Sequence, residues 1–148
     1  MIPDGYMLRS EYAYGPASVL SSVSYYTKNG VVCTENYGYS NGECTTVTVG
    51  DNVIFNLMSE NSMGLPTRVQ TLGVRRDYSY DSSGRPALRR SFSTSQGDVQ
   101  IHTYEFDNAT SNLHTRTDVL RNLEDEFSYD VLNRLTIENG RERTYDAS

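Results

Sequence analysis

The sequence predicts an all-β chain of tandem antiparallel β-hairpins joined into an open, twisted repeat sheet. Three observations carry that prediction. Short segments with alternating side chains run along the chain, turn-forming residues separate them, and one unit of aromatic doublet, aspartate and small-residue turn recurs.

In chain order, residues 19–26 and 31–37 flank Asn29 and Gly30, the strongest short hairpin signal in the chain. Ser40 to Gly42 is the next turn, followed by the alternating CTTVTV of residues 44–49. Gly50, Asp51 and Asn52 reverse the chain into residues 53–58, and residues 65–72 and 74–80 join near Gly73. After the turn at Asp81, residues 88–94 return, and Gln96 to Asp98 lead into residues 99–106. There Val99, Ile101 and Thr103 share one face while His102, Tyr104 and Phe106 share the other, so both faces carry bulk. Residues 113–117 run to a turn at 118–122. In residues 123–129, Leu123, Phe127 and Tyr129 oppose Glu124, Glu126 and Ser128. A short helix over 118–126 is the rival reading, because Leu120, Leu123 and Phe127 also fit helical spacing. Asn139 and Gly140 make the last hairpin turn.

The recurring unit is clearest at residues 78–90, YSYDSSGRPALRR. Tyr78 and Tyr80 project to one side of a strand, Asp81 caps the turn, and Gly84 supplies the positive φ before Arg85. Residues 104–116 repeat it with Tyr104, Phe106 and Asp107, a longer turn, and Asn112 where Gly84 stood. Residues 127–136 repeat it with Phe127, Tyr129, Asp130, Asn133 in the glycine position and Arg134 after it. Glycine and asparagine are the residues that most readily enter the left-handed region, so their exchange at one position supports the turn. Weaker copies lie at residues 37–45 and 58–68; in the second, Asn61, Gly64, Leu65 and Pro66 align with Asp81, Gly84, Arg85 and Pro86. A truncated unit at 144–148 contains Tyr145 and Asp146, and Tyr12, Tyr14 and Gly15 are open to reading as a further worn copy. Successive Asp positions, from Ser40 through Asn61 to Asp146, step by 21, 20, 26, 23 and 16 residues. This divides the chain into an N-terminal hairpin region, 1–36, and a repeat region, 37–148.

These units resemble the YD repeat of the RHS family, whose pattern is approximately YxYDxxGRL. The resemblance is best over residues 78–148 and reaches back to about Tyr37. It implies hairpins joined edge to edge into a spiralling sheet, which in very large secreted or surface proteins closes as a hollow shell. Bacterial members often enclose or present a C-terminal toxin, and animal teneurins use a similar shell in adhesion. A chain of 148 residues is too short to close such a shell, so the resemblance implies an excised wall fragment with an unpaired edge liable to associate with another copy. It also implies a bacterial extracellular or cell-surface location, with the export signal outside this sequence.

Composition fits. Twelve tyrosines and no tryptophan suit half-buried strand faces, and twelve arginines against one lysine suit stacking on aromatic rings, with Arg85 and Arg134 expected against neighbouring tyrosines. The net charge of −6 argues against a nucleic-acid partner. No apolar run approaches the roughly 18 residues of a membrane helix, and residues 1–10 lack a signal-peptide pattern.

Little in the sequence points to catalysis. His102 and His114 flank the Asp107 turn and are placed to approach each other, but no further metal ligands stand at fixed spacing. If Tyr39 pairs with Cys44, Cys33 falls opposite Gly50, too far along the ladder for a disulfide. Asn108, Ala109 and Thr110 match a glycosylation triplet but also serve as turn formers. Asp81, Asp107 and Asp130 each cap a separate turn instead of converging as acid and base. No cofactor, metal or catalytic residue is expected. The sequence therefore reads as a non-catalytic structural segment whose partners are neighbouring repeats of a parent chain and, by the resemblance, an enclosed toxin. The alternative is a glycan-binding or adhesion module using exposed tyrosines.

Overall fold

The computed structural model describes residues 9–145. Thirteen strands form one antiparallel sheet in which spatial order equals sequence order. They are β1 (Arg9–Tyr14), β2 (Leu20–Thr27), β3 (Gly30–Ser40), β4 (Glu43–Val49), β5 (Asn52–Glu60), β6 (Pro66–Thr71) and β7 (Val74–Tyr80). Then follow β8 (Pro86–Ser93), β9 (Gly97–Phe106), β10 (Leu113–Asp118), β11 (Leu123–Tyr129), β12 (Leu135–Glu138) and β13 (Arg141–Glu142). Among the described residues there is no α-helix, and a single 3-10 turn, Pro16–Ser18, links β1 to β2. Residues 118–126 form the end of β10, a turn and β11, which disposes of the rival helix. The alternation of Asp125, Phe127 and Tyr129 against exposed Glu124, Glu126 and Ser128 prevails there, although Leu123, expected with the aromatics, is exposed.

Register aligns a continuous run of bulky residues on one face. Val23 pairs with Tyr12 and Glu35, Tyr37 with Val47, Val47 with Phe55, and Leu57 with Val69. Val69 pairs with Arg76, and the same face continues through Tyr78, Tyr104 and Phe127. The opposite face is more polar but also carries bulk, since Leu88 pairs with Ser79 and Thr103, Phe92 with Arg75, and Ile101 with Arg90. Ser24 and Thr34 share a hydroxyl bond of 2.9 Å, and Asp77 accepts from Arg68 at 2.6 Å and from Arg75 at 3.1 Å.

Because a single layer has no second sheet or helix to cover it, burial is shallow. Only Val23, Val69 and Ser91 are buried among the described residues. The chain exposes 10760 Å², whereas a compact protein of 16.7 kDa exposes about 7600 Å². Cohesion therefore comes from strand pairing and cross-strand side chains, each pair worth roughly 0.2–1 kcal/mol, with contacts running between consecutive strands.

Bulges recur where they steepen the sheet's twist. The register shifts between Ser79 and Tyr80 and between Ser128 and Tyr129, in each case beside the aspartate, and again between Ala13 and Tyr14. The extra residue lies on the returning strand, Ala87 in β8 and Thr136 in β12.

Candidate functional site

The hairpins reverse alternately at two edges of the sheet, and the recurrent turns all fall on one of them: β1/β2, β5/β6, β7/β8, β9/β10 and β11/β12. At Asp81, the amides of Ser83 and Arg85 donate to Oδ1 at 2.8 and 3.0 Å, while Arg85 Nε donates to Oδ2 at 2.6 Å. Asp130 repeats this with Leu132, Arg134 and Arg134 Nε at 2.8, 3.0 and 2.7 Å. Asn61 repeats the backbone part, accepting from Met63 and Leu65 at 2.9 and 3.0 Å. The backbone closes identically: Gly84 N donates to Asp81 O and Asp81 N to Arg85 O, as Asn133 and Gly64 do in their turns. Gly64, Gly84 and Asn133 all have positive φ, at 74, 79 and 59°. A side chain at Gly84 would in addition meet Leu65 Cδ1 of the preceding turn at 3.6 Å.

Two units depart from the sequence alignment. In the longer turn at Asp107, the residue whose amide bonds Asp107 O is Ser111, with φ of 61°, so Ser111 occupies the place of Gly84. Asn112, expected at that place, occupies the place of Arg85 instead. Four positions separate Asp107 from this left-handed site, one more than separate Asp81 from Gly84. At residues 37–45, Ser40 caps no turn among the described residues. Asn41 and Gly42, at φ of 53 and 86°, close a two-residue hairpin in which Ser40 simply pairs with Glu43. Conversely, the worn N-terminal copy follows the pattern closely: Gly15 N donates to Val19 O at 2.8 Å, and Tyr14 pairs with Leu20 as Tyr80 pairs with Pro86 and Tyr129 with Leu135.

The turns are also tied to one another. Arg85 lies with its guanidinium carbon 5.0 Å from the Phe106 ring centre and donates to Asp107 O at 3.1 Å and Asn108 Oδ1 at 3.2 Å. Arg134 lies 4.8 Å over Tyr145. Each arginine thus spans from its own aspartate to the second aromatic of the following unit; Arg134 meets the expected tyrosine, Arg85 a phenylalanine. Second-position tyrosines bond back, Tyr80 Oη to Pro66 O at 2.9 Å and Tyr145 Oη to Leu135 O at 2.7 Å. Asp146 of the last unit lies outside the described residues. Of the first-position aromatics, Tyr78, Tyr104 and Phe127 stand half-buried on the aromatic face, opposite Arg89, Arg116 and Glu138.

These contacts set the acidity of the capping carboxyls. Burial opposes ionisation of Asp81, but bonds from the Arg85 side chain and the Arg85 and Ser83 amides together outweigh it and hold the carboxyl below its ordinary value. Amide donation from Thr110 to Asp107 and from Arg134 to Asp130 lowers those two. Asp98, bonded by Arg90, and Asp125, bonded by Asn139 and Arg116, are lowered likewise. Since the folded chain releases these protons more readily than the unfolded chain, their contribution is complete above the ordinary aspartate value of 3.8 and is lost as pH falls below it. Urea midpoints are accordingly expected to hold from pH 7 to 5 and to drop at pH 3; an equal midpoint at pH 3 would contradict these caps.

The remaining candidates do not converge. His102 pairs in register with Asp118, its Nε2 3.6 Å from Asp118 Oδ2, whereas His114 lies at the bulge beside Leu113 at the other end of β10. The two histidines are therefore kept apart, because symmetry about the turn pairs the residue after Leu113 with the neighbourhood of Glu105 and not with His102. Tyr39 does pair with Cys44, while Cys33 pairs with Tyr25 on the other neighbouring strand, and both thiols are free. Glu35 collects the hydroxyls of Tyr37 at 2.7 Å and Tyr25 at 3.3 Å, and that bond, with some burial, pushes Tyr37 up to about 12. Among the described residues, no group of three or more His, Cys, Asp or Glu side chains is gathered as a metal site.

Sheet and turns together define a tandem β-hairpin repeat laid out as one continuous layer. Solved structures share this fold. A chain in the crystal structure of TcdB2-TccC3-Cdc42 is 18% identical, with a TM-score of 0.73, matching 87% of this chain and 7% of that one. A chain of the Photorhabdus luminescens Tc holotoxin pore with mutated TccC3 is 17% identical, with a TM-score of 0.69, over 86% of this chain and 6% of that one. This chain thus spans a small fraction of the length of the chains it resembles, and the likeness is one of fold, consistent with an RHS/YD-like sheet. No protein-family model matches the sequence, and no curated protein matches it.

Proposed function

We propose that this chain is a non-catalytic stretch of sheet wall from a large bacterial secreted or surface protein of the RHS/YD kind, one that encloses or presents a toxin. The observation that carries this reading is the single uncovered layer, whose conserved geometry from turn to turn lies in contacts that join each hairpin to the next. The doublet aromatics Tyr78, Tyr80, Tyr104, Phe106, Phe127 and Tyr129 are all half-buried between neighbouring hairpins, as a wall requires. A glycan platform would display them together; Tyr12 and Tyr14, the exposed doublet, lie on the terminal strand β1. Similarity to chains in toxin-complex structures supports the toxin-associated and extracellular parts of the reading. No helix among the described residues is long and apolar enough to cross a membrane.

The test is twofold. The gene around this segment is expected to encode many further units of the same spacing, and the isolated chain is expected to give no specific signal on a glycan array. Specific glycan binding lost on Tyr12→Ala or Tyr14→Ala, or a gene lacking further units, would overturn the wall reading.

A further inference from the structure

One junction in the row of turns is built differently from the others. Arg85 and Arg134 each reach from an aspartate Oδ2 to the aromatic ring of the next unit. At the junction between the Asp107 and Asp130 turns that place is held by Asn112, whose short amide reaches only Asn133 Oδ1 at 2.9 Å. A cleft of about 260 Å³ opens there, lined by Asp107, Asn112, His114, Phe127, Tyr129 and Asp130 among others.

The groups left at this cleft are the ones an arginine uses elsewhere. Asp107 Oδ1 accepts from the Ala109 and Thr110 amides and from Thr110 Oγ1, whereas Oδ2 has no hydrogen-bond or ion-pair partner among the described residues. Tyr129 holds the position of Phe106 and Tyr145, the rings that carry Arg85 and Arg134. Tyr80 and Tyr145 donate back to the preceding turn, but Tyr129 makes no matching bond to Leu113 O among the described residues. The neighbouring charges are His114, which lines the cleft, Asp130, already engaged by Arg134, and Arg85, which donates to Asp107 O and Asn108 Oδ1 from the preceding turn and leaves Asp107 Oδ2 unbonded.

We propose that this cleft is a binding site for a guanidinium group, the head of an arginine side chain presented by another polypeptide segment. A planar guanidinium can lie on the Tyr129 ring while donating to Asp107 Oδ2, the pair of interactions that Arg85 and Arg134 make in cis. An ammonium lacks the flat face and the fork, so lysine fits poorly. The cleft falls below the roughly 300–1,000 Å³ of small-molecule pockets, which suits a single side-chain head. This site is independent of whether the sheet belongs to a toxin shell.

The test is titration of the 148-residue chain with N-acetyl-L-argininamide, followed by amide chemical shifts, with N-acetyl-L-lysinamide and uncharged N-acetyl-L-citrullinamide as controls. Saturable shifts centred on Asp107, His114 and Tyr129 are expected, with both controls at least ~10-fold weaker, a difference of about 1.4 kcal/mol. Asp107→Asn should preserve the turn, since Asn61 caps one in the same chain, yet weaken argininamide by a similar factor. Asn112→Arg should supply the group internally, abolish the shifts and raise the melting temperature. Absence of saturable shifts, equal binding of either control, or undiminished binding by Asn112→Arg would each overturn the proposal.

Discussion

Ser91→Pro is expected to divide the sheet into parts that unfold separately. Ser91 sits in the middle of β8, 5% exposed, paired with Arg76 on β7 and Gln100 on β9. Proline removes the amide donor and fixes φ near −65°, away from the roughly −140° of an antiparallel strand. The bonded carbonyl left without a partner costs about 1–3 kcal/mol, and the forced backbone adds to it. In a two-layered domain the opposing layer would hold the damaged strand in place. Here contacts link each strand to its sequence neighbours, so stability is approximately a sum over adjacent hairpins and the damage stays local. Hydrogen exchange should show protection lost across β7, β8 and β9 but retained in the β2/β3 hairpin, with Ser91→Ala causing little change. Uniform loss of protection through all strands would show a cooperative core that this geometry does not contain.

The same sequential construction explains what the sequence made legible. Turns need particular residues at particular places, so Asn29 with Gly30, Gly50, Gly73, and Asp81 with Gly84 were readable one hairpin at a time. Each strand then had only one place to go, beside its predecessor, so topology followed from local signals. Errors arose where local chemistry was degenerate. Ser111 is a less usual left-handed residue than Asn112, and the inserted residue let the alignment slip by one. The better signal was Leu113, which matches Pro86 and Leu135 as the residue that pairs with the second aromatic. The Gly15 turn lacks a capping side chain and hides its identity in the Tyr14–Leu20 pairing. Contacts between units were the least legible, because the aromatic that meets Arg85 is 21 residues away, at Phe106, and its proximity depends on an intervening hairpin of unspecified length.

Those contacts between units make Arg85 the most consequential exposed-edge side chain in the chain. Its guanidinium joins Asp81 to Phe106, Asp107 O, Ser111 Oγ and Asn108 Oδ1, with only 18% of the side chain exposed. Arg85→Ala removes the stacking and the bonds to the next turn together. The desolvated stacking contributes about 0.5–2 kcal/mol, and a charged donor to a carbonyl about 1.5–3 kcal/mol before the discount for partial exposure. A net loss of roughly 2–3 kcal/mol is therefore expected. Arg85→Lys should recover little, because an ammonium keeps the charge but cannot lie flat on Phe106 while bonding two turns at once. In a double-mutant cycle, Arg85→Ala and Phe106→Leu should be non-additive by about 1 kcal/mol, whereas Arg85→Ala and the distant Val23→Ala should add. If Arg85→Lys were as stable as the parent, plain charge attraction to Asp81 would suffice and the arginine would not be the clamp between consecutive hairpins. If instead the cycle couples as expected, the unit of this fold is a hairpin together with the ring of the following one, and the aspartate's task is to aim the arginine at that ring.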